Sequence, residues 1–359
     1  MSPRRVLFAC ADTGFGHRAA ANAVAAATRE LLGAEVQTEV VDAYEEARVP
    51  VLASAPSLYA AVTRHNRRLF DAVFAVTDQA AAQPLLVPGL RRLAQARVEV
   101  LLAVHRPDTV VVCNPVHMGE LFARARHDGG HRFALATVIT DPVRVHRSWF
   151  ADGVDLHFLV GAPPAAAGAY ACRAVSFPVH PGFARLEPDR AEARQRLGLD
   201  PCRPVALISG GGAGAGSRAT WRRLLTTLAG DGGIELLVAA GTNRGLVGLL
   251  RQPQFAQVRV LAPTSSLELA LRASSVMFSK AGPASIFEAA ALGVPLRLFD
   301  EVGPQERGNI AYARSLGIAE ALDGQDPVAL VHEAEAWPRR PRPELTGGAA
   351  AVARWIASV

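Results

Sequence analysis

The sequence predicts an α/β protein of two parallel-sheet domains that face a central cleft. Three observations carry that expectation. Short apolar runs that fit buried strands alternate with helical patterns in the first half of the chain and again in the second. Glycine-bearing turns directly follow several of those runs, as at Asp12–His17, Gly210–Ser217 and Ala281–Pro283, which is where open parallel sheets approach their ligands. Finally, 359 residues at 50% hydrophobic and 20% charged are enough for two cores.

The formal charge is +5 and the pI near 9.4. This mild basic excess suits an acidic partner such as a nucleotide, a nucleic acid or an anionic membrane surface, without choosing among them. Of 38 basic residues, Lys280 is the only lysine. A coding bias toward arginine explains the rest; a lone lysine surviving it points to a place that needs a compact ammonium and not a guanidinium fork. Cys10, Cys113, Cys172 and Cys202 lack paired spacing for zinc or a redox dithiol. The apolar run after Arg4 and Arg5 stops at Asp12, too short for a secretory signal, and no uncharged stretch approaches the ~18 residues of a membrane span. The expectation is a chain that is soluble or lies on a membrane without crossing it, in a reducing cytosol.

Val6 to Ala11 reads as a buried strand, followed by Asp12-Thr-Gly-Phe-Gly-His17 and an alanine-rich helix to about Leu32. Gly14-x-Gly16-x-x-Ala19 imitates a dinucleotide fingerprint, but Asp42, at the end of the next strand (Glu35 to Val41), comes later than that motif requires. Between residues 55 and 106, Leu58, Val62, Leu69, Val73 and Val76 recur at helical spacing, and Arg64, Arg67, Arg68, Arg91, Arg92, Arg97 and Arg106 outnumber the acids. Such a segment is either an ordinary amphipathic helix or one that meets anionic lipid. Thr109 to Cys113 and Leu135 to Thr140 are further strands, ending at Asn114-Pro-Val-His117 and Asp141. Residues 177–183, with paired prolines and a glycine, form a stiff joint, and a charged helix from Pro188 to Leu197 follows.

The second domain opens with Val205 to Ser209 and a glycine-rich turn. Gly211-x-x-x-x-Gly216-Ser217 imitates a phosphate-binding loop but lacks its lysine. Strands are expected at Glu235 to Ala240 and Val258 to Leu261, and a helix at Leu267 to Ala273. The stretch that organises this half is Ser279–Asn309. Val276 to Phe278 fits a strand end, Pro283 starts a helix running to Leu292, Gly293 stops it, and Val294 to Phe299 is the next strand. A helix start wrapped in small residues can hold an anion, and Glu288, one to two turns later, can accept bonds from vicinal hydroxyls. Together they describe a nucleotide site. Helices from Ile310 to Leu316 and up to Val359 close the chain.

The order Lys280-Ala-Gly-Pro283, Glu288, Gly293-Val-Pro295 and Gln305-Glu-Arg-Gly-Asn309 resembles the donor site of glycosyltransferase family 28. Within it the match is to the diacylglycerol glycosyltransferases, that is, monogalactosyldiacylglycerol synthases and processive glucosyltransferases. Thr-Gly-Phe-Gly-His17 resembles that family's acceptor-side loop and residues 137–150 its Thr-Val-Ile-Thr-Asp…His-x-x-Trp-Phe run. Pro304 stands where the family carries glycine before Gln-Glu, and Phe15 replaces a common glycine.

The resemblance implies a GT-B architecture of two Rossmann-like domains: 1–182 on the acceptor and membrane side, 183–335 for the donor, and a tail helix in 336–359 that packs back on the first. It implies an inverting, metal-independent transfer of a hexose from a UDP-sugar to a lipid, diacylglycerol above all, with no cofactor beyond the donor. His17 and Asp141 become the catalytic candidates. Donor binding falls to Gly14, Gly16, Gly211, Gly212, Gly214, Asn243, Thr264, Lys280, Gly282, Pro283, Ser285, Glu288, Gln305, Glu306 and Asn309. Arg64, Arg67, Arg68, His146 and Trp149 are assigned to the acceptor and an anionic membrane surface, on the cytoplasmic face of the cell membrane; no nucleic acid is expected. The alternatives are a polyprenyl-linked N-acetylglucosaminyl transferase, a UDP-sugar epimerase and a non-catalytic nucleotide- or lipid-binding protein.

Overall fold

The computed structural model describes residues 2–11, 16–49, 54, 61–62, 66–168, 170–185, 187–262 and 267–359. Their contacts divide into two units: Met1–Pro181 with Gly303–Gln305 and Gly347–Val359, and Gly182–Val302 with Glu306–Thr346.

The first unit is a six-stranded parallel sheet in the order β2-β1-β3-β4-β5-β6. Its strands are β1 (Arg4–Cys10), β2 (Val36–Asp42), β3 (Thr109–Val112), β4 (Ala134–Ile139), β5 (Leu156–Val160) and β6 (Cys172–Val175). From Val6 on, β1 is apolar without alternation because both of its faces are covered. Leu7 and Ala9 pack with Val110, Val112, Leu121 and Phe122 on one side. Val6, Phe8 and Cys10 pack with Val24, Val111, Val138 and Val352 on the other. The helix Gly16–Leu32 presents a buried alanine face, Ala20, Ala21, Ala23, Ala25, Ala26 and Ala27. Small side chains let another helix lie close, and the C-terminal helix Gly348–Ser358 packs there. Arg4 Nη1 donates to Ile356 O at 2.5 Å, and Pro178 bridges to Gly347 just before that helix.

The second unit is also a six-stranded parallel sheet, ordered β12-β11-β10-β7-β8-β9. Its strands are β7 (Val205–Ser209), β8 (Glu235–Ala239), β9 (Arg259–Leu261), β10 (Val276–Lys280), β11 (Leu296–Asp300) and β12 (Glu320–Ala321). One irregularity matters for the site. Ser279 pairs with Leu298 but Lys280 with Asp300, so Phe299 is an extra residue and β11 bulges. A bulge re-aims the side chains beside it.

In each sheet the chain steps to one side of its first strand and then returns to the other, between β1 and β3 in one unit and between β7 and β10 in the other. Open α/β sheets bind ligands outside such switch points. The loops that carry the expected site residues follow these strands.

Several elements differ from the sequence expectation. β10 runs on to Lys280, so the lysine is a strand residue and not part of the turn. The charged helix is Arg190–Arg196, capped by Asp189, whose Oδ1 accepts from Glu192 N at 2.8 Å. β5, β6, β12 and the helices Met118–Asp128 and Pro327–Ala336 were not foreseen. β5 hides a histidine, His157, inside its apolar run, and β6 is four residues long with an arginine in it. Among the described residues, no helix is long and apolar enough to cross a membrane.

Candidate functional site

The second unit brings four expected donor residues together at the β7/β10 switch point. Lys280, at the bulged end of β10, forms an ion pair with Glu306. The other oxygen of Glu306 accepts from Val302 N at 2.9 Å. Both side chains are largely enclosed, 13% exposed for Lys280 and 4% for Glu306. Two glycines line the ammonium. A β-carbon at Gly211 would lie 3.0 Å from Lys280 Cε, and one at Gly282 would lie 2.9 Å from Nζ.

Gly282 is the N-cap of the helix Pro283–Leu292 and supplies no side-chain cap. The first-turn N–H groups of a helix lack intrahelical partners, so this end offers donors and a positive dipole beside the ammonium. Ser285 is buried in that first turn. The turn is braced from below. Ala281 N donates to Asp300 O at 2.7 Å, and Asn309 Nδ2 donates to Ala281 O at 2.9 Å. Asn309 Oδ1 and Ser279 Oγ are buried with no hydrogen-bond partner among the described residues. Glu288 lies in the second turn, half-buried, and burial pushes its carboxyl up to about 8. Gln305 lies in the one-turn helix Pro304–Glu306.

The glycine loop after β7 is held by its neighbours. Gly211 (φ 67°) and Gly214 (φ 57°) sit where side chains are strained, and a β-carbon on Gly214 would strike Ala240 O at 2.2 Å. Gly212 O accepts from Thr242 N at 2.8 Å. Asn243, expected among the donor-binding residues, has its amide committed at both ends. Nδ2 donates to Gly214 O at 2.8 Å and Oδ1 caps the next helix by accepting from Leu246 N at 3.0 Å. It shapes the loop. Gly14, Thr264 and Arg64 lie outside the described residues.

The first unit groups the catalytic candidates at the β1/β3 switch point. Gly16 begins the helix after β1 and His17 follows it. His17 Nδ1 is 3.2 Å from Thr140 Oγ1, and Thr140 stands at the end of β4 directly before Asp141. Trp149 joins the two candidates. Its Nε1 donates to Asp141 Oδ2 at 2.8 Å, and its ring meets His17 edge-on with centroids 5.7 Å apart. Asp141 is buried and Trp149 is 1% exposed.

Two of the residues assigned to the acceptor and membrane are buried. Trp149 and His146 face inward and do not present themselves to a lipid surface. His146 Nδ1 accepts from Ser148 N at 3.1 Å, and Nε2 lies 3.2 Å from Thr77 Oγ1. Burial lowers its pKa despite Asp78 nearby. It ties the turn Arg147–Trp149 to the helix Arg67–Thr77. Arg67 and Arg68 begin that helix, Arg68 exposed. The following helix, Gln83–His105, buries Ala94, Val98, Leu101 and Leu102 but exposes Leu85 (81%), Val100 (64%) and Val104 (69%).

Thr140 was missed as a contact to His17, although its place at a strand end was a usable signal. Glu301 was missed too; its Oε1 accepts from Gly308 N at 3.0 Å and Ile310 N at 2.9 Å, fixing the loop that carries Glu306.

The family model for monogalactosyldiacylglycerol (MGDG) synthase matches residues 17–162. The chloroplastic monogalactosyldiacylglycerol synthase of Spinacia oleracea is 29% identical over 348 residues, 91% of this chain and 65% of that protein. The likeness to these synthases extends over most of this chain. The chain spans less than two thirds of the spinach relative's length. The fold resembles Acinetobacter baumannii MurG (TM-score 0.54, 15% identity, 99% of this chain and 100% of that one). It also resembles the UDP-GlcNAc 2-epimerase of Methanocaldococcus jannaschii, crystallised with UDP-GlcNAc and UDP (TM-score 0.57, 10% identity, 99% and 100% coverage). With its two parallel sheets flanked by helices, the chain is a two-domain α/β protein of the GT-B fold.

Proposed function

We propose that this protein is a UDP-sugar-dependent hexosyltransferase acting on a lipid hydroxyl, that of diacylglycerol in the first place. The observation that carries the reading is the Lys280 ammonium, lined by Gly211 and Gly282, beside an uncapped helix start. This is a built place for a diphosphate, within a chain whose sequence likeness is to MGDG synthase.

The reaction is an inverting displacement. The acceptor oxygen attacks the anomeric carbon, the bond from that carbon to the β-phosphate oxygen breaks, and its electron pair leaves on UDP. Lys280 and the first-turn N–H groups of Pro283–Leu292 take up the developing negative charge, so the chemistry is metal-independent in this reading. Glu288 accepts from the ribose hydroxyls. With Nδ1–H donated to Thr140 Oγ1, the Nε2 lone pair of His17 takes the acceptor proton, and Asp141, held by Trp149, stabilises the cation that forms. The protein works on the cytoplasmic face of a membrane, held by the exposed apolar stripe of Gln83–His105 and the arginines around it.

The test is incubation of the purified protein with each UDP-hexose and diacylglycerol vesicles, followed by mass spectrometry and NMR of the anomeric proton. A hexosyl-diacylglycerol of inverted configuration, formed equally with a chelator present, is expected. Sugar isomerisation without acceptor identifies an epimerase instead, and UDP binding without turnover a binding protein; either ends this proposal.

A further inference from the structure

We infer that Glu306 is a positioning residue for Lys280, setting the ammonium in place for the donor's diphosphate, and is not itself a ligand of the sugar. This rests on the donor-site reading above and assigns one of its residues a different part.

The geometry gives Glu306 two jobs, both inside the protein. One carboxylate oxygen pairs with Lys280 Nζ and the other accepts from Val302 N at 2.9 Å. At 4% exposure the side chain is nearly closed off. A carboxylate buried this far is costly unless paired, and its pairing here fixes a flexible four-carbon side chain at one point. Two glycines lie against the ammonium. Nζ lies 2.9 Å from where a Gly282 β-carbon would be and 3.9 Å from a Gly211 β-carbon, and Glu306 Oε1 is 3.6 Å from the former. A wider, forked guanidinium would have to lie against the same two glycines, and Lys280 is the one lysine among the chain's 38 basic residues. The loop bearing Glu306 is itself fixed, since Glu301 holds Gly308 and Ile310, and Asn309 holds Ala281. The pair is therefore set before any ligand arrives.

UDP and UDP-sugar separate the two roles, because UDP carries the diphosphate but no hexose. If Glu306 acts through Lys280, Glu306→Gln weakens binding of UDP itself by tenfold or more, as calorimetry reads it. UDP-sugar weakens by the same factor. Glu306→Gln in a Lys280→Met background has little further effect, the mark of two groups acting as one. Lys280→Arg loses UDP affinity although its charge is kept. The sole lysine also gives a direct readout. In protein labelled with ¹⁵N-lysine, the single side-chain ammonium resonance shifts on adding UDP, and shifts in free Glu306→Gln relative to wild type.

Loss of UDP-sugar affinity alone, with UDP binding unchanged in Glu306→Gln, overturns the inference and returns Glu306 to the sugar. A wild type that binds neither ligand removes the donor-site reading and this inference with it. Should Glu306→Gln not fold, the wild-type resonance decides: a Lys280 signal unmoved while calorimetry records UDP binding overturns the assignment.

Discussion

Trp149 Nε1 donates to Asp141 Oδ2 at 2.8 Å while the same indole meets the His17 ring edge-on, so one buried side chain fixes both catalytic candidates. Trp149→Phe keeps the aromatic contact and deletes the hydrogen bond. A hydrogen bond to a charged group is worth about 1.5–3 kcal/mol. Turnover is therefore expected to fall roughly 10- to 100-fold, with UDP affinity by calorimetry unchanged. Unaltered turnover separates Asp141 from the chemistry.

His17→Ala removes the proposed base. Proton transfer by a positioned side chain contributes about 10²–10⁴ in rate, so turnover should drop at least about 10²-fold while UDP binding persists. Steady-state kinetics on the identified acceptor check this. Full activity in the variant moves the role of base to Asp141, and Asp141→Asn becomes the next variant to assay.

Glu288 predicts a pH dependence of donor binding. Burial raises its carboxyl to about 8, so the free protein holds it protonated at neutral pH. In the proposed role, ribose hydroxyls donate to the ionised form and favour it. UDP affinity should then rise from pH 7 to pH 9, with a proton released on binding at pH 7. Glu288→Gln should flatten this profile and weaken UDP more at pH 9 than at pH 7. Calorimetry in buffers of different ionisation heat reads both; a pH-independent wild type rejects the ribose role.

The first unit should lose stability in acid. Burial holds His117 and His157 at about 4 and lowers His146, so the unfolded chain binds more protons between about pH 4 and 6.5. Their contribution is present above pH 6.5 and is lost as pH falls. His105 has the opposite sign. Burial opposes its charge, but hydrogen bonds to Glu46 and Glu39 outweigh that and raise it. Its stabilisation is complete below 6.5 and is lost as pH rises through its folded value. Three against one, melting temperature should fall from pH 7 to pH 5. His157→Phe, which keeps a ring against Phe150 and Tyr170, should make that fall shallower.

How much of this was legible in the sequence follows from where the signal lay. β1, β3, β4, β7 and β10 were readable because most of their residues are buried on both faces and each carries a continuous apolar run. β5 and β6 were not, since His157 and Arg173 interrupt them and a proline-bearing turn lies between. At the proposed donor site, residue types and order marked Lys280 and Glu306. That they pair with each other depends on a bulge at Phe299 and a loop pinned by Glu301, which spacing along the chain does not encode. Likewise Trp149 could be singled out by resemblance, but only the fold turns it inward onto Asp141.

The helix Gln83–His105 carries the last prediction. At about 100° per residue, Leu85, Leu86, Leu93, Val100 and Val104 fall within a sector of roughly 100°. All five are exposed, while Ala94, Val98, Leu101 and Leu102 fill the opposite, buried side. Arg92 and Arg97 stand at the edges of the stripe, both exposed. A soluble helix gains nothing by exposing a leucine at 81%. At a bilayer each such side chain transferred is worth about 1.5–3 kcal/mol, and each arginine near an anionic surface about 1 kcal/mol. Sedimentation with vesicles should show stronger binding to anionic than to neutral lipid, weakening with salt as charge is screened over about 8–10 Å. Leu93→Glu with Val100→Glu should cut binding at least tenfold and leave UDP affinity intact, because neither side chain is buried in a core. Arg92→Gln with Arg97→Gln should remove the preference for anionic lipid but keep part of the binding to neutral vesicles. Equal binding of wild type to both lipids at low salt rejects the electrostatic half of this account, and undiminished binding of the Leu93/Val100 variant rejects the apolar half.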